Sequence, residues 1–245
     1  MADRTTQRLA AALCTIALLI VISIDAFAQK PGVVSGMARF DRALIPALFA
    51  AEGSGFSDEG SQVAANLANA WEALQKTQET RADAEWAGDA VRIRNWIDTA
   101  SRLKHESSSR EEIHALLLRV RDALRTFRKR NGIRYFPDTL VNFKEQFDEI
   151  ASSLKDGNFG VGHEEIAGLE KAWGEVKGFR VDKIAYGLDY YRMGEFGAYR
   201  ETVTASLDVL REAIGRNDLT SAVAELETIQ INSRALYRLF GNFED

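Results

Sequence analysis

Residues 109–138 read SREEIHALLLRVRDALRTFRKRNGIRYFPD, and this stretch decides the fold. Ser109 with Glu112 three places on is a capping-box pattern, in which each side chain serves a backbone N–H that a helix start leaves unpaired. From Ile113 to Phe127 the apolar residues return at spacings of three and four, the period of a helix that buries one stripe. Cations crowd the last turn, Gly132 supplies a stop, and Pro137 suits the first turn of a second helix.

The same pattern runs outward in both directions. Helices are expected over 36–52, 61–85, 89–106, 110–130, 138–155, 163–178, 181–213 and 219–240, the seventh broken around Gly194 and Gly197. Further stops are expected at Gly53, Gly157, Gly215 and Gly241, and Asp218 or Thr220 caps the last helix. Beyond Pro31 the only prolines are Pro46 and Pro137. No segment alternates steadily between polar and apolar residues, and helix-forming Ala, Leu, Glu, Arg and Lys dominate. The expectation is an all-α helical bundle.

Laid on itself so that Trp71 falls on Trp173, the chain also matches Gly55 with Gly157, Gly60 with Gly162, Leu67 with Leu169 and Ala70 with Ala172. Ile45 then meets Phe147, Leu48 meets Ile150 and Leu74 meets Val176. A small shift pairs Leu117 with Leu226, Val120 with Ile229, Arg125 with Arg234, Phe127 with Leu236 and Gly132 with Gly241, as an insertion around Tyr186–Tyr199 would produce. Two related four-helix units are expected, over 36–132 and 138–241, either in tandem or fused into one body. The two tryptophans should then be similarly buried.

Ahead of the first helix, Arg4 and Arg8 precede an apolar run from Leu9 to Ile24, closed by Asp25 and the small-x-small sequence Ala26-Phe27-Ala28. The run falls short of the roughly 20 residues that span a bilayer, so residues 1–28 read as a signal peptide. A periplasmic or secreted protein follows, with an uncleaved anchor as the alternative. Cys14, the one cysteine, lies inside that run, so the remaining chain has no thiol for a disulfide, a metal or a nucleophile. The formal net charge of −5 argues against general nucleic-acid binding, which needs a basic face.

No catalytic pattern is present: there is no Gly-x-Ser-x-Gly elbow, no phosphate-cradling glycine loop and no Ser-x-x-Lys in a suitable context, so an enzyme is not expected. Glu145, Asp148 and Glu149, like Glu164 and Glu165, read as solvated helix faces. Glu111 and His114 form half of a carboxylate-bridged di-metal motif, and the second half is missing. His163 sits at a helix start. An exported four-helix bundle without disulfides is similar in fold to the haem-binding cytochrome bundles, which implies a Met and a His as ligands. Met37 and Met193 offer the former, but no His stands in the last helix, and Cys-x-x-Cys-His is absent. No cofactor is expected; a metal or haem carrier drawing on Glu111, His114, His163, Met37 and Met193 is the competing reading.

Two features point instead to binding. Arg119, Arg121, Arg125, Arg128, Lys129, Arg130 and Arg134 concentrate positive charge ahead of Tyr135 and Phe136, an array suited to a small anionic ligand or the acidic face of a partner protein. Tyr186, Tyr190, Tyr191, Met193, Phe196 and Tyr199 form the other, with Tyr190, Tyr191 and Phe196 as partner-facing candidates. Exchange of Arg128 and Arg134 for glutamate is expected to abolish binding with helicity intact.

Overall fold

A computed structural model describes residues 31–53, 60–78, 84–105 and 110–243. The expected signal peptide, the cap at Ser109 and Gly55 lie outside the described residues. Within them every regular element is a helix: α1 (Pro31–Glu52), α2 (Gly60–Gln78), α3 (Trp86–His105), α4 (Arg110–Arg130), α5 (Phe136–Lys155), α6 (Phe159–Gly178), α7 (Lys183–Tyr186), α8 (Tyr190–Gly215) and α9 (Leu219–Arg238). The all-α expectation holds, and among the described residues no helix is long and apolar enough to cross a membrane.

The helix ends show which residues carry the punctuation. Gly132 at φ +64° turns the chain out of α4, and Ile133 N–H donates to the Arg128 carbonyl at 2.8 Å. Gly157 does the same after α5 at φ +73°. After α8 the left-handed position falls on Asn217, not on Gly215. Asp218 caps α9, accepting from Ser221 N–H at 3.1 Å.

The expected break around Gly194 and Gly197 is misplaced. Both glycines lie inside α8, where an added Cβ would meet nothing within 4 Å. The chain breaks earlier, because Asp182 caps α7, Gly187 ends it at φ +61°, and Asp189 caps α8 by accepting from Arg192 N–H at 2.8 Å. Two caps and one left-handed glycine over eight residues outweigh the cost of about 1 kcal/mol for each helical glycine.

Gly187 is constrained twice, by its φ and by Arg42, whose Nη2 would lie 1.5 Å from an added Cβ. That nitrogen donates to the Tyr186 carbonyl at 3.0 Å. Gly187→Ala is expected to cost about 2 kcal/mol, part backbone strain and part the lost hydrogen bond. Urea denaturation checks it, and an unchanged midpoint would mean that Arg42 does not hold α7.

Helix neighbours follow chain order. α1 packs on α2, α2 on α3, α3 on α4 and α4 back on α1; α5 packs on α6, α6 on α8, α8 on α9 and α9 back on α5; α7 lies against α1. Short connections between successive antiparallel helices produce this order. One continuous apolar cluster runs through all of it. Trp71, Trp86 and Phe127 stack through the α1–α4 part, with centroids 6.0 and 4.5 Å apart. Phe143 and Trp173 meet at 4.9 Å in the α5–α9 part. Trp71 and Trp173 are 0% and 2% exposed, as the self-match expects.

Candidate functional site

The arginines of α4 are largely spent on the protein's own carboxylates. Arg125 donates from Nη1 and Nη2 to the two Glu145 oxygens at 2.5 and 2.9 Å and also reaches Asn142. Arg130 bridges Glu85 and Asp89, both at 2.9 Å. Arg128 forms a two-pronged pair with Asp138, through Nε at 2.7 Å and Nη2 at 2.5 Å, and lies 4.4 Å over the Tyr135 ring. Its residue is only 2% exposed, so the solvent-facing role expected for Arg128 is corrected: the antiparallel return of α5 brings Asp138 onto it.

Tyr135 is likewise buried and faces inward. Its hydroxyl donates to Asp41 Oδ2 at 2.8 Å, while Phe136 N–H donates to the Tyr186 hydroxyl at 2.8 Å. These bonds tie α1, the α4–α5 turn and α7 into one polar junction. Burial pushes the Asp41 carboxyl up to about 6, against the pull of Arg128 and the Tyr135 hydrogen bond. For Arg128, burial works to lower the pKa, but the Asp138 charge and hydrogen bonds together with Asp41 hold it above the ordinary value. Arg128 Nη1 is buried without a hydrogen-bond partner.

What remains open at the end of α4 is a polar groove of about 1430 Å³ of empty space, its mouth included. Arg125, Lys129, Arg134, Thr139 and Asn142 line it, together with the carboxylates of Asp122, Asp138 and Glu175, of which Asp122 is bonded to Arg121 and Asp138 to Arg128. Lys129 and Arg134 are exposed, and Arg134 sits 5.4 Å over the Phe179 ring. Of the expected basic cluster, Arg119 and Arg130 are exposed as well, but Arg130 is held by Glu85 and Asp89 and neither Arg119 nor Arg130 lines the groove.

Tyr190 and Tyr191 are 90% and 84% exposed, whereas Phe196 is 4% exposed and packs 5.1 Å from the Phe136 ring. Phe196 therefore belongs to the core and not to a partner-facing surface: on α8 it falls on the buried stripe with Val203, Leu207 and Leu210. The carrier residues are not gathered. Met37 is fully buried in the core, Met193 is half-buried, and Glu111 and His163 are exposed. His114 Nε2 lies 3.4 Å from Glu52 Oε1. Among the described residues no group of three or more His, Cys, Asp or Glu side chains is placed to hold a metal ion.

Sequence reasoning missed a second recess, where α1 and α4 face α5 and α9. Leu48, Leu118, Leu140, Val141 and Phe147 give it an apolar lining, and His114, Arg121 and Arg234 stand at its edge. The signal lay in apolar doublets: Leu48-Phe49, Leu117-Leu118 and Leu140-Val141 widen the stripe of three helices beyond what one set of neighbours can cover. Phe49 meets Tyr237 across this seam at 6.3 Å, and Arg234 bridges to Glu52 at 2.6 Å. Compared with models of protein families, with curated proteins and with solved structures, the chain matches none.

Proposed function

We propose that the protein is an exported, non-catalytic helical module that binds an anionic group, on a small ligand or on the acidic segment of a partner protein, in the groove at the end of α4. The observation that carries this reading is the contrast within one basic cluster: Arg125, Arg128 and Arg130 are neutralised internally, while Lys129 and Arg134 are exposed at the groove. Two cations beside the hydroxyl of Thr139 and the amide of Asn142 offer charge and hydrogen bonds together. Export to the periplasm or beyond rests on the Arg4–Ala28 pattern.

The body presenting this groove is a repeat of one four-helix unit, α1–α4 and then α5, α6, α8 and α9, with α7 as the inserted segment. Support comes from the self-matched pairs, since Ile45 and Phe147, Leu67 and Leu169, Val120 and Ile229, and Phe127 and Leu236 are all buried. Each member of a pair occupies the same place in the order of neighbours. Duplication explains why two helix sets close in the same sequence, and the insertion explains the shift in the self-match.

A fluorescent deca-glutamate peptide tests the groove. Lys129→Glu with Arg134→Glu is expected to weaken its binding by about tenfold or more, about 1.4 kcal/mol, with unchanged helicity. Binding of the parent chain should also weaken as salt rises. Equal affinity in the two proteins, or no binding to either, would sink the reading.

A further inference from the structure

Six charged side chains line the groove at the end of α4, and three of them are already neutralised. Arg125 is paired with Glu145, Asp122 with Arg121 and Asp138 with Arg128. The other three are Lys129, Arg134 and Glu175, and among the described residues no charged side chain pairs with any of them. Glu175 stands on α6, one helical turn before the Phe179 ring over which Arg134 lies at 5.4 Å. The groove therefore presents two unpaired cations on its α4–α5 wall and one unpaired carboxylate on its α6 wall.

Neutral groups in the groove have capacity left as well. Arg125 donates to Asn142 Oδ1, which leaves the amide Nδ2 to donate in turn. The Thr139 hydroxyl gives its proton to the Phe136 carbonyl at 2.7 Å, so its oxygen can still accept. One donor and one acceptor complement the C=O and N–H of a peptide bond. Ile133 and Phe179 add apolar surface, and the cavity measures about 710 Å³, inside the roughly 300–1,000 Å³ that ligand pockets span.

We propose, resting on the reading of this groove as an anion site, that its ligand is a short acidic peptide with a free amino terminus. The ammonium pairs with Glu175, the side-chain and terminal carboxylates pair with Lys129 and Arg134, and a peptide bond lies between Asn142 Nδ2 and the Thr139 oxygen. A ligand with two carboxylates and one ammonium brings one net negative charge to three free groups that carry one net positive charge. A ligand with carboxylates alone satisfies the cations but sets like charge against Glu175. That repulsion selects the zwitterion.

The probe is the tripeptide Ala-Ala-Glu, compared by calorimetry and side-chain NMR with its amino-acetylated form, which keeps both carboxylates and loses the ammonium. Ala-Ala-Glu is expected to bind saturably and to shift the Ile133 methyl and Phe179 ring signals. Acetylation should weaken it about fivefold, the scale of one exposed charge pair. In Glu175→Gln, a change at an exposed side chain, the free peptide should drop to the affinity of the acetylated one. Equal affinities in the parent, a preference that survives Glu175→Gln, or no saturable binding of Ala-Ala-Glu while deca-glutamate still binds would each overturn the peptide and leave the anion site standing. Failure of deca-glutamate as well would remove the anion site itself, and this ligand with it.

Discussion

Arg128→Met is expected to lower the stability of the protein by about 3–5 kcal/mol, the loss that follows when one partner of a buried ion pair is removed. Arg128 is nine-tenths or more enclosed, and among the described residues its side chain is the cation bonded to Asp138 in the junction. Without it, the Asp138 and Asp41 charges repel each other with no guanidinium to offset them, and one must take up a proton or the α4–α5 turn must open. Arg128→Lys should recover only part of the loss, since an ammonium cannot reproduce the two parallel bonds or the stacking on Tyr135. In Arg128→Met with Asp138→Leu, much of the loss should return, because the stranded charge is gone. Urea denaturation of the series checks all of this. A loss below about 1 kcal/mol for Arg128→Met would place the guanidinium in water, where ion pairs contribute that little.

Burial of Arg128 beside Asp138 makes Arg128→Glu unusable as a probe of binding. Read from sequence, the exchange removes one surface cation; in the fold it sets a third carboxylate beside Asp41 and Asp138, and helicity itself should fall. Lys129 and Arg134, which carry no buried bond, are the residues whose replacement reports on the groove.

The span of α4 is legible in the sequence and the burial of Arg128 is not, a difference of range. The bounds of α4 depend on Gly132 and on an apolar period inside the helix, all of it local. The Arg128–Asp138 pair spans a turn that Gly132 and Pro137 already mark, so a hairpin of helices returns Asp138 onto Arg128 by geometry that the sequence does contain. Asp41 is different. Its partner Tyr135 is 94 residues away, and no periodicity links them. The glycines beside Phe196 suggest an opening in the sequence, but the caps Asp182 and Asp189 place the break upstream and leave Phe196 inside α8. The recess at the seam belongs to the packing of four helices drawn from both ends of the chain, and only the apolar doublets hinted at it.

The second large effect is on pH dependence, and it runs opposite to ordinary acid denaturation. Asp41 ionises near 6 in the folded protein against an ordinary 3.8, so between those values the folded state holds more protons than the unfolded one. Stability from this group is therefore fully present below the lower value and is lost as pH rises through the upper one, for a total of about 3 kcal/mol. Other groups pull the other way: the Arg125 hydrogen bond holds Glu145 below the usual carboxylate range, and the Ser221 bonds do so for Asp218, so their contributions disappear in acid. Asp41→Asn separates the two. Asparagine still accepts from the Tyr135 hydroxyl but does not titrate, so the stability of the parent relative to this variant should fall by about 2–3 kcal/mol between roughly pH 4 and pH 8. Denaturation of both proteins across that range measures the difference directly. A flat difference would mean that Arg128 compensates the Asp41 charge in full, and the junction would then be a settled ion pair with Asp138 as its second acid. A falling difference would mean that the protein keeps a carboxyl where burial outweighs the cation, and that the tie between α1 and the α4–α5 turn is strongest when Asp41 is protonated.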